Sequence, residues 1–244
     1  MSSETYEPVD LTKPWRGRAW TQLLAAVLGV LPLYSGLIIL QLRSERQITM
    51  QGFTLYLAVI SPLSIVVALL LLRFLCGEKP GDLNLRPGKL STDLLAVLVL
   101  SVATIIASVT STYILGELLP EASSNMSVAD LFAELAGSPG QLLLFAGPLL
   151  LLGATSEEVT RVFLLSRLWK GWPTIPAKLV SIVVSASLFG LIHLYQGTVS
   201  ASWTAIYGLM MALTYLRFGR ALPLILAHYL TNALQVIVFA LVAR

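Results

Sequence analysis

The sequence predicts an all-α bundle of about seven membrane-spanning helices, with the N-terminus inside. Three observations carry this. Of the 244 residues, 56% are hydrophobic and 12% charged, where a soluble domain carries about 25% charged residues. A soluble chain this apolar (mean hydropathy +0.81) could not cover its surface with polar groups. The charges are also spaced to leave long uncharged runs, and the basic residues gather on alternate connections between those runs.

The runs lie between Arg18 and Arg43, Arg46 and Arg73, Asp93 and Glu117, Glu134 and Glu157, Lys178 and Arg217, and Arg220 and Arg244. A hydrocarbon core about 30 Å thick takes about 20 helical residues, so each run holds one crossing. The run from Lys178 to Arg217 holds two, broken at Tyr195-Gln196-Gly197-Thr198. The stretch from Gly77 to Lys89 is a polar, Gly- and Pro-containing turn between the second and third spans. The fourth span is expected over about 141–169, the fifth over about 177–194 and the seventh over about 223–242. Pro223 suits a first helical turn, where its missing N–H costs little.

Orientation follows from Lys and Arg. With the N-terminus in the cytoplasm, the inside segments hold Lys13, Arg16, Arg18; Arg73, Lys79, Arg86, Lys89; Arg167, Lys170, Lys178; and Arg217, Arg220. The outside segments hold Arg43, Arg46 and Arg244, and Arg161 falls within the membrane. The loop from Glu117 to Gly140 has no Lys or Arg and carries Glu121, Asp130 and Glu134. The net charge of +3 thus comes from flanks suited to anionic lipid headgroups; it does not point to nucleic acid. The single cysteine, Cys76, excludes an intramolecular disulfide. Residues 1–17 read as a short cytoplasmic tail without a signal peptide. Residues 18–244 read as one transmembrane domain, with its motif-bearing region over 141–244.

Ionisable groups within a span are costly and usually mark function. This chain places Glu157, Glu158, Arg161, His193 and His228 at membrane depth, with Asn232 one turn beyond His228. At about 1.5 Å rise per residue, Glu157 lies about 20 Å from Lys170, His193 about 22 Å from Lys178 and His228 about 12 Å from Arg220. Helix tilt can absorb those differences, so three helices can bring their polar groups to one pocket. His228 and Asn232 share a helix face at i, i+4. Arg161 is i+4 from Glu157 and i+3 from Glu158, so it can neutralise one glutamate and leave the other available. The two carboxylates point about 100° apart and should differ in role.

Taken singly, each feature has a structural reading: a Glu–Arg pair can serve packing, and a buried histidine can be an interhelical hydrogen bonder. Phe163 and Phe189 read as packing residues, and Tyr195, Trp169 and Trp172 as interfacial anchors. The conjunction is what matters. Both histidines of the chain, its adjacent carboxylates and a buried arginine fall in the same few spans. Glutamate, histidine and asparagine suit water-mediated acyl chemistry, the carboxylate as base and the donors for an oxyanion. Glu157, His193 and His228 also form a His₂Glu set of the kind that holds zinc with an open water position. Ser156 beside the glutamates carries no sign of being a nucleophile.

These residues resemble the CAAX-processing and bacteriocin-processing (CPBP, or Abi) intramembrane proteases. That family shows Glu-Glu-x-x-x-Arg, Phe-x-x-x-His and His-x-x-x-Asn or Asp in neighbouring helices. Phe189 to His193 matches the second motif and His228 to Asn232 the third. The first departs from the pattern: Glu157-Glu158-Val159-Thr160-Arg161 has two residues, not three, between glutamate and arginine. The preferred alignment makes Glu157 the base and pairs Glu158 with Arg161. The other puts Ser156 in the place of the first glutamate and leaves a degenerate site.

The resemblance implies an integral membrane endopeptidase, expected in a bacterial plasma membrane and acting on a peptide or membrane-associated protein. Glu157 and His193 would activate water; His228 and Asn232 would stabilise the oxyanion. A divalent metal such as zinc, held by Glu157, His193 and His228, and a metal-free mechanism are both compatible with it. Two other readings compete: a catalytically degenerate immunity or scaffold protein, and a small transporter using the buried charges as a proton relay.

Overall fold

The computed structural model describes residues 15, 17–43, 49–85, 87–119 and 132–242. Among these there are seven long helices and no strand: α1 (Ala19–Arg43), α2 (Met50–Cys76), α3 (Leu90–Leu118), α4 (Pro139–Gly171), α5 (Ile175–Leu191), α6 (Thr198–Phe218) and α7 (Leu222–Val242). All but α5 are long and apolar enough to cross a membrane; α5 is a shorter apolar helix. The seven sequence-derived segments thus reappear as helices with shifted ends, six of them long enough to span. The break in the longest uncharged run forms where expected, as a turn over Leu194–Gln196 followed by Gly197. Arg46, Glu121, Asp130, Arg244 and most of the N-terminal tail lie outside the described residues.

The central helix is α4. Val159, Val162, Phe163 and Leu165 are buried, and so are Ser156, Glu158, Thr160, Arg161 and Arg167. A helix buried on nearly all sides belongs in the middle of a bundle, and α4 packs against α1, α2, α5 and α7. It is bent upstream of the glutamates, where Gly147 leaves helical geometry (φ −87°, ψ −105°) before Pro148. Proline lacks the N–H that would continue the ladder, so a kink there has a direct cause. The bundle's outer surface is apolar, as lipid requires: Leu94, Leu98, Val102 and Ile106 on α3, and Val180 and Val183 on α5, are exposed.

Helices α5 and α6 form a closely packed hairpin. A Cβ added at Gly190 would stand 2.7 Å from the Ala201 carbonyl oxygen and 2.8 Å from the Ala205 methyl. Small residues let two backbones approach closely where no hydrophobic effect drives helices together. This contact fixes the end of α5, which carries Phe189 and leads into His193.

One end of the bundle is closed by ion pairs. Gly77, at φ 75°, ends α2 in a left-handed turn that glycine adopts without steric cost, and the Glu78 N–H returns to the Leu72 carbonyl. The Glu78 side chain is thereby brought to α4. Arg167 donates to it from both terminal nitrogens, at 2.7 and 2.8 Å, and Lys170 pairs with it at 2.7 Å. Arg167 also reaches Gln22 of α1 at 3.3 Å. Asp93 at the start of α3 pairs with Arg220 between α6 and α7, and the Ala221 N–H donates to the Asn84 carbonyl. The sequence reading treated Arg167 as a membrane flank. It is fully buried because its charge is matched by Glu78 from the α2–α3 connection, a pairing that linear distance from the bilayer edge does not reveal.

Burial alone would raise the Glu78 carboxyl, but the Arg167 hydrogen bonds and charge, then Lys170, outweigh it and hold it below the usual carboxylate range. A lowered folded value stabilises the fold above the unfolded pKa, about 4.3, and that contribution fades as pH falls through the folded value. Melting of the detergent-solubilised chain should therefore show an acid limb below about pH 4.3 that Glu78→Gln lacks. Gly190→Ala should lower stability by about 1–3 kcal/mol through overpacking, read in the same melts.

Candidate active site

Three helical segments deliver the polar residues to one place. Glu157 and Glu158 sit on α4 beyond its kink. The helix turns about 100° per residue, so Glu158 faces the protein interior, fully buried, while the Glu157 side chain keeps 13% exposure and lines a cavity of about 810 Å³. His228 and Asn232 lie on one face of α7 and line the same cavity. His193 does too, but from a different local structure than expected. Helix α5 ends at Leu191, so His193 sits in the turn beyond it (φ −99°, ψ 8°). A helical position would have tied its ring to the α5 face; the turn frees it from that periodicity.

A chain of contacts organises the buried charges. Arg161 donates from Nη1 to Glu158 Oε1 at 2.5 Å, and His228 Nδ1 lies 2.8 Å from the same oxygen. The guanidinium is stacked 4.1 Å from the Phe189 ring centre, and that ring also meets His193 at 4.7 Å and His228 at 6.2 Å. Phe189 is thus more than a packing residue: its ring stacks on the arginine and contacts both histidines. Phe163 is buried in the core. His228 Nε2 stands 3.6 Å from Glu157 Oε2, beyond hydrogen-bond reach.

The partners fix the ring tautomers. The ionised Glu158 carboxylate, paired with Arg161, can only accept, so His228 Nδ1 carries the hydrogen, and when the ring is neutral Nε2 holds the lone pair. His193 Nδ1 lies 2.8 Å from the Phe189 carbonyl oxygen, which can only accept. In neutral form its Nε2 is likewise an acceptor.

Ser156 is fully buried and donates to the Gly153 carbonyl at 2.8 Å, away from the cavity lining. Trp169 bonds Ser181 at 2.7 Å and stacks on Tyr215, joining α4 to α5 and α6. Tyr195 stacks on His193 at 6.0 Å. Trp172 is 38% exposed. Glu157, His193 and His228 are the set that would hold a divalent metal. Among the described residues, no three His, Cys, Asp or Glu side chains are gathered closely enough to do so.

The cavity also draws on residues that the motifs do not mark. Phe53, Tyr56 and Leu57 of α2 and Thr104, Ser108 and Thr112 of α3 line it, so it extends beyond 141–244. Thr104, Ser108 and Thr112 recur at i, i+4 and i+8 and so share one face of α3; that spacing was the signal available in the sequence. Tyr207 of α6 lines it as well, its ring 5.0 Å from His228.

Residues 139–234 match a family model described as type II CAAX prenyl endopeptidase Rce1-like. The match is to CAAX-type intramembrane proteases at family level and spans all six motif residues. No curated protein and no solved structure matches the chain.

Arg161→Met should leave Glu158 buried without its counter-charge and cost about 3–5 kcal/mol. Glu158→Gln combined with Arg161→Met should cost less than Arg161→Met alone. Thermal unfolding in detergent distinguishes the two.

Proposed function

We propose that this chain is an intramembrane endopeptidase that cuts near the C-terminus of prenylated, membrane-associated proteins, with Glu157 and His193 activating water. The observation that supports it most is the convergence of Glu157, His193, His228 and Asn232 on one cavity inside an apolar helical bundle. The family match over the same residues supports the substrate class. The basic flanks support a cytoplasmic N-terminus, and a bacterial plasma membrane is the setting we propose.

Water enters the cavity between Glu157 and His193. Its oxygen attacks the scissile carbonyl carbon while its proton passes to the Glu157 carboxylate, oriented with His193 Nε2 as a second acceptor. The carbonyl π electrons move to oxygen, and Asn232 donates a hydrogen bond to that oxyanion. His228 joins as a donor only when its ring is protonated. The C–N bond then breaks, and the proton held by Glu157 passes to the leaving amine. Glu158 and Arg161 do not touch the substrate; they hold His228 in its tautomer and orientation. No step is routed through a metal.

The irregular first motif favours a second reading, a degenerate member acting as an immunity or scaffold protein. One assay separates them: release of the C-terminal tripeptide from a farnesylated CAAX peptide by the chain reconstituted in liposomes. Glu157→Ala and His193→Ala should each lower the rate by at least about 10²-fold, and chelation with phenanthroline should leave it unchanged. Wild-type rates in both variants would remove the peptidase reading.

A further inference from the structure

A peptide that enters a membrane bundle gives up its water, and its N–H and C=O groups then need partners from the protein. The cavity holds polar side chains suited to that need which the chemistry above does not use. Beyond His228 and Asn232, the α7 face that lines it continues one turn on to Gln235. Ser108 of α3 lines the same cavity. Helices α3 and α7 pack on one another, and their starts are tied by the Asp93–Arg220 pair. Ser108 and Gln235 lie equally far along the chain from Asp93 and Arg220, so they stand at about the same height in the bundle.

Packing does not explain these two residues. A hydroxyl within a helix often returns to the carbonyl one turn back, as those of Thr155, Thr204, Thr214 and Thr231 do here. Ser108 and Gln235 make no hydrogen bond among the described residues. A Ser–Gln bond across the helices would be the structural use of such a pair, and it is not made. Ser108 is half-buried and Gln235 exposed, so both are open to the cavity they line. Leu230, Leu234 and Val238 carry the lipid-facing side of α7, which leaves Gln235 with His228 and Asn232 on its polar side.

The donor and acceptor set selects the ligand. A primary amide offers N–H and C=O, and a hydroxyl donates and accepts, which matches the two functions of a peptide group. Among the described residues no Lys or Arg lines the cavity, so nothing there is matched to an anion. One helical turn is about 5.4 Å, which an extended chain covers in about two residues. Gln235 therefore stands beside the peptide groups next to a scissile bond held at Asn232. We propose that Gln235 and Ser108 form a subsite for the substrate backbone, Gln235 accepting from a peptide N–H adjacent to the scissile amide and Ser108 bonding the same stretch. This rests on the peptidase reading above. Such bonds are made alike in the ground and transition states, so their loss falls on KM and not on kcat.

The test compares wild type, Gln235→Leu, Ser108→Ala and Glu157→Ala, each the full chain in liposomes, on the farnesylated CAAX peptide. Gln235→Leu and Ser108→Ala should each raise KM by about threefold to tenfold, with kcat within about twofold of wild type and an unchanged melting temperature. Two further peptides carry a methyl on the amide nitrogen just before or just after the scissile amide. With one of them the KM gap between wild type and Gln235→Leu should close, because the bond is already lost. A gap that persists with both, or an unchanged KM in either variant while Glu157→Ala is inactive, overturns the subsite and leaves the peptidase reading standing. A lowered kcat or melting temperature in Gln235→Leu also overturns it, because the residue would then act on the chemistry or through packing. Full activity in Glu157→Ala removes the peptidase reading and this inference with it.

Discussion

An arginine and a glutamate buried side by side in the middle of a membrane bundle constrain everything around them. Neither Glu158 nor Arg161 reaches water, and separating them would leave an uncompensated charge where solvation is poorest. The helix therefore has to present them on one face, the neighbouring helices have to close over them, and their remaining contacts have to come from side chains. Phe189 supplies an aromatic face for the guanidinium and His228 a ring N–H for the carboxylate. One pair thus ties α4 to the end of α5 and to α7. Those are the three places that carry the candidate chemistry.

The pair also accounts for the difference between the two glutamates. Adjacent residues on a helix cannot face the same way. Once Glu158 is committed to the interior, Glu157 turns toward the cavity. The same geometry bears on the irregular first motif. A glutamate three residues before an arginine reaches it on a helix as one four residues before would, and here it does so. The shortened spacing preserves the ion pair and leaves a carboxylate on the cavity side.

At the end of the bundle the same principle recurs with different partners. Glu78, Arg167 and Lys170 join the α2–α3 connection to α4, while Asp93 and Arg220 join α3 to the α6–α7 connection. Charges that would be costly alone become cross-links when each is bought a partner from another element. Between these clamps and the tight α5–α6 contact at Gly190, the helices carrying the site are held at both levels, and the cavity opens among α2, α3, α4, α6 and α7.

From the residues alone follow the all-helical fold class, the number of helices and the presence of Glu157, Glu158, Arg161 and His228 at membrane depth. Each follows from local rules: the length a bilayer requires, the cost of charge in hydrocarbon, and the periodicity of a helix. Helix periodicity put Arg161 within reach of both glutamates; the motif alignment preferred Glu158, and the structure shows that pair. Only the tertiary structure decided what depends on distant segments: that Arg167 is a buried partner of Glu78 and not a flank, that His193 sits in a turn past its helix, and that Tyr207 and the α3 hydroxyls share the cavity with the motifs. The reason is physical. Helical periodicity says which residues share a face, but which faces meet is set by packing between helices, where closely fitted small residues and interhelical ion pairs select one arrangement among many that the hydrophobic pattern permits.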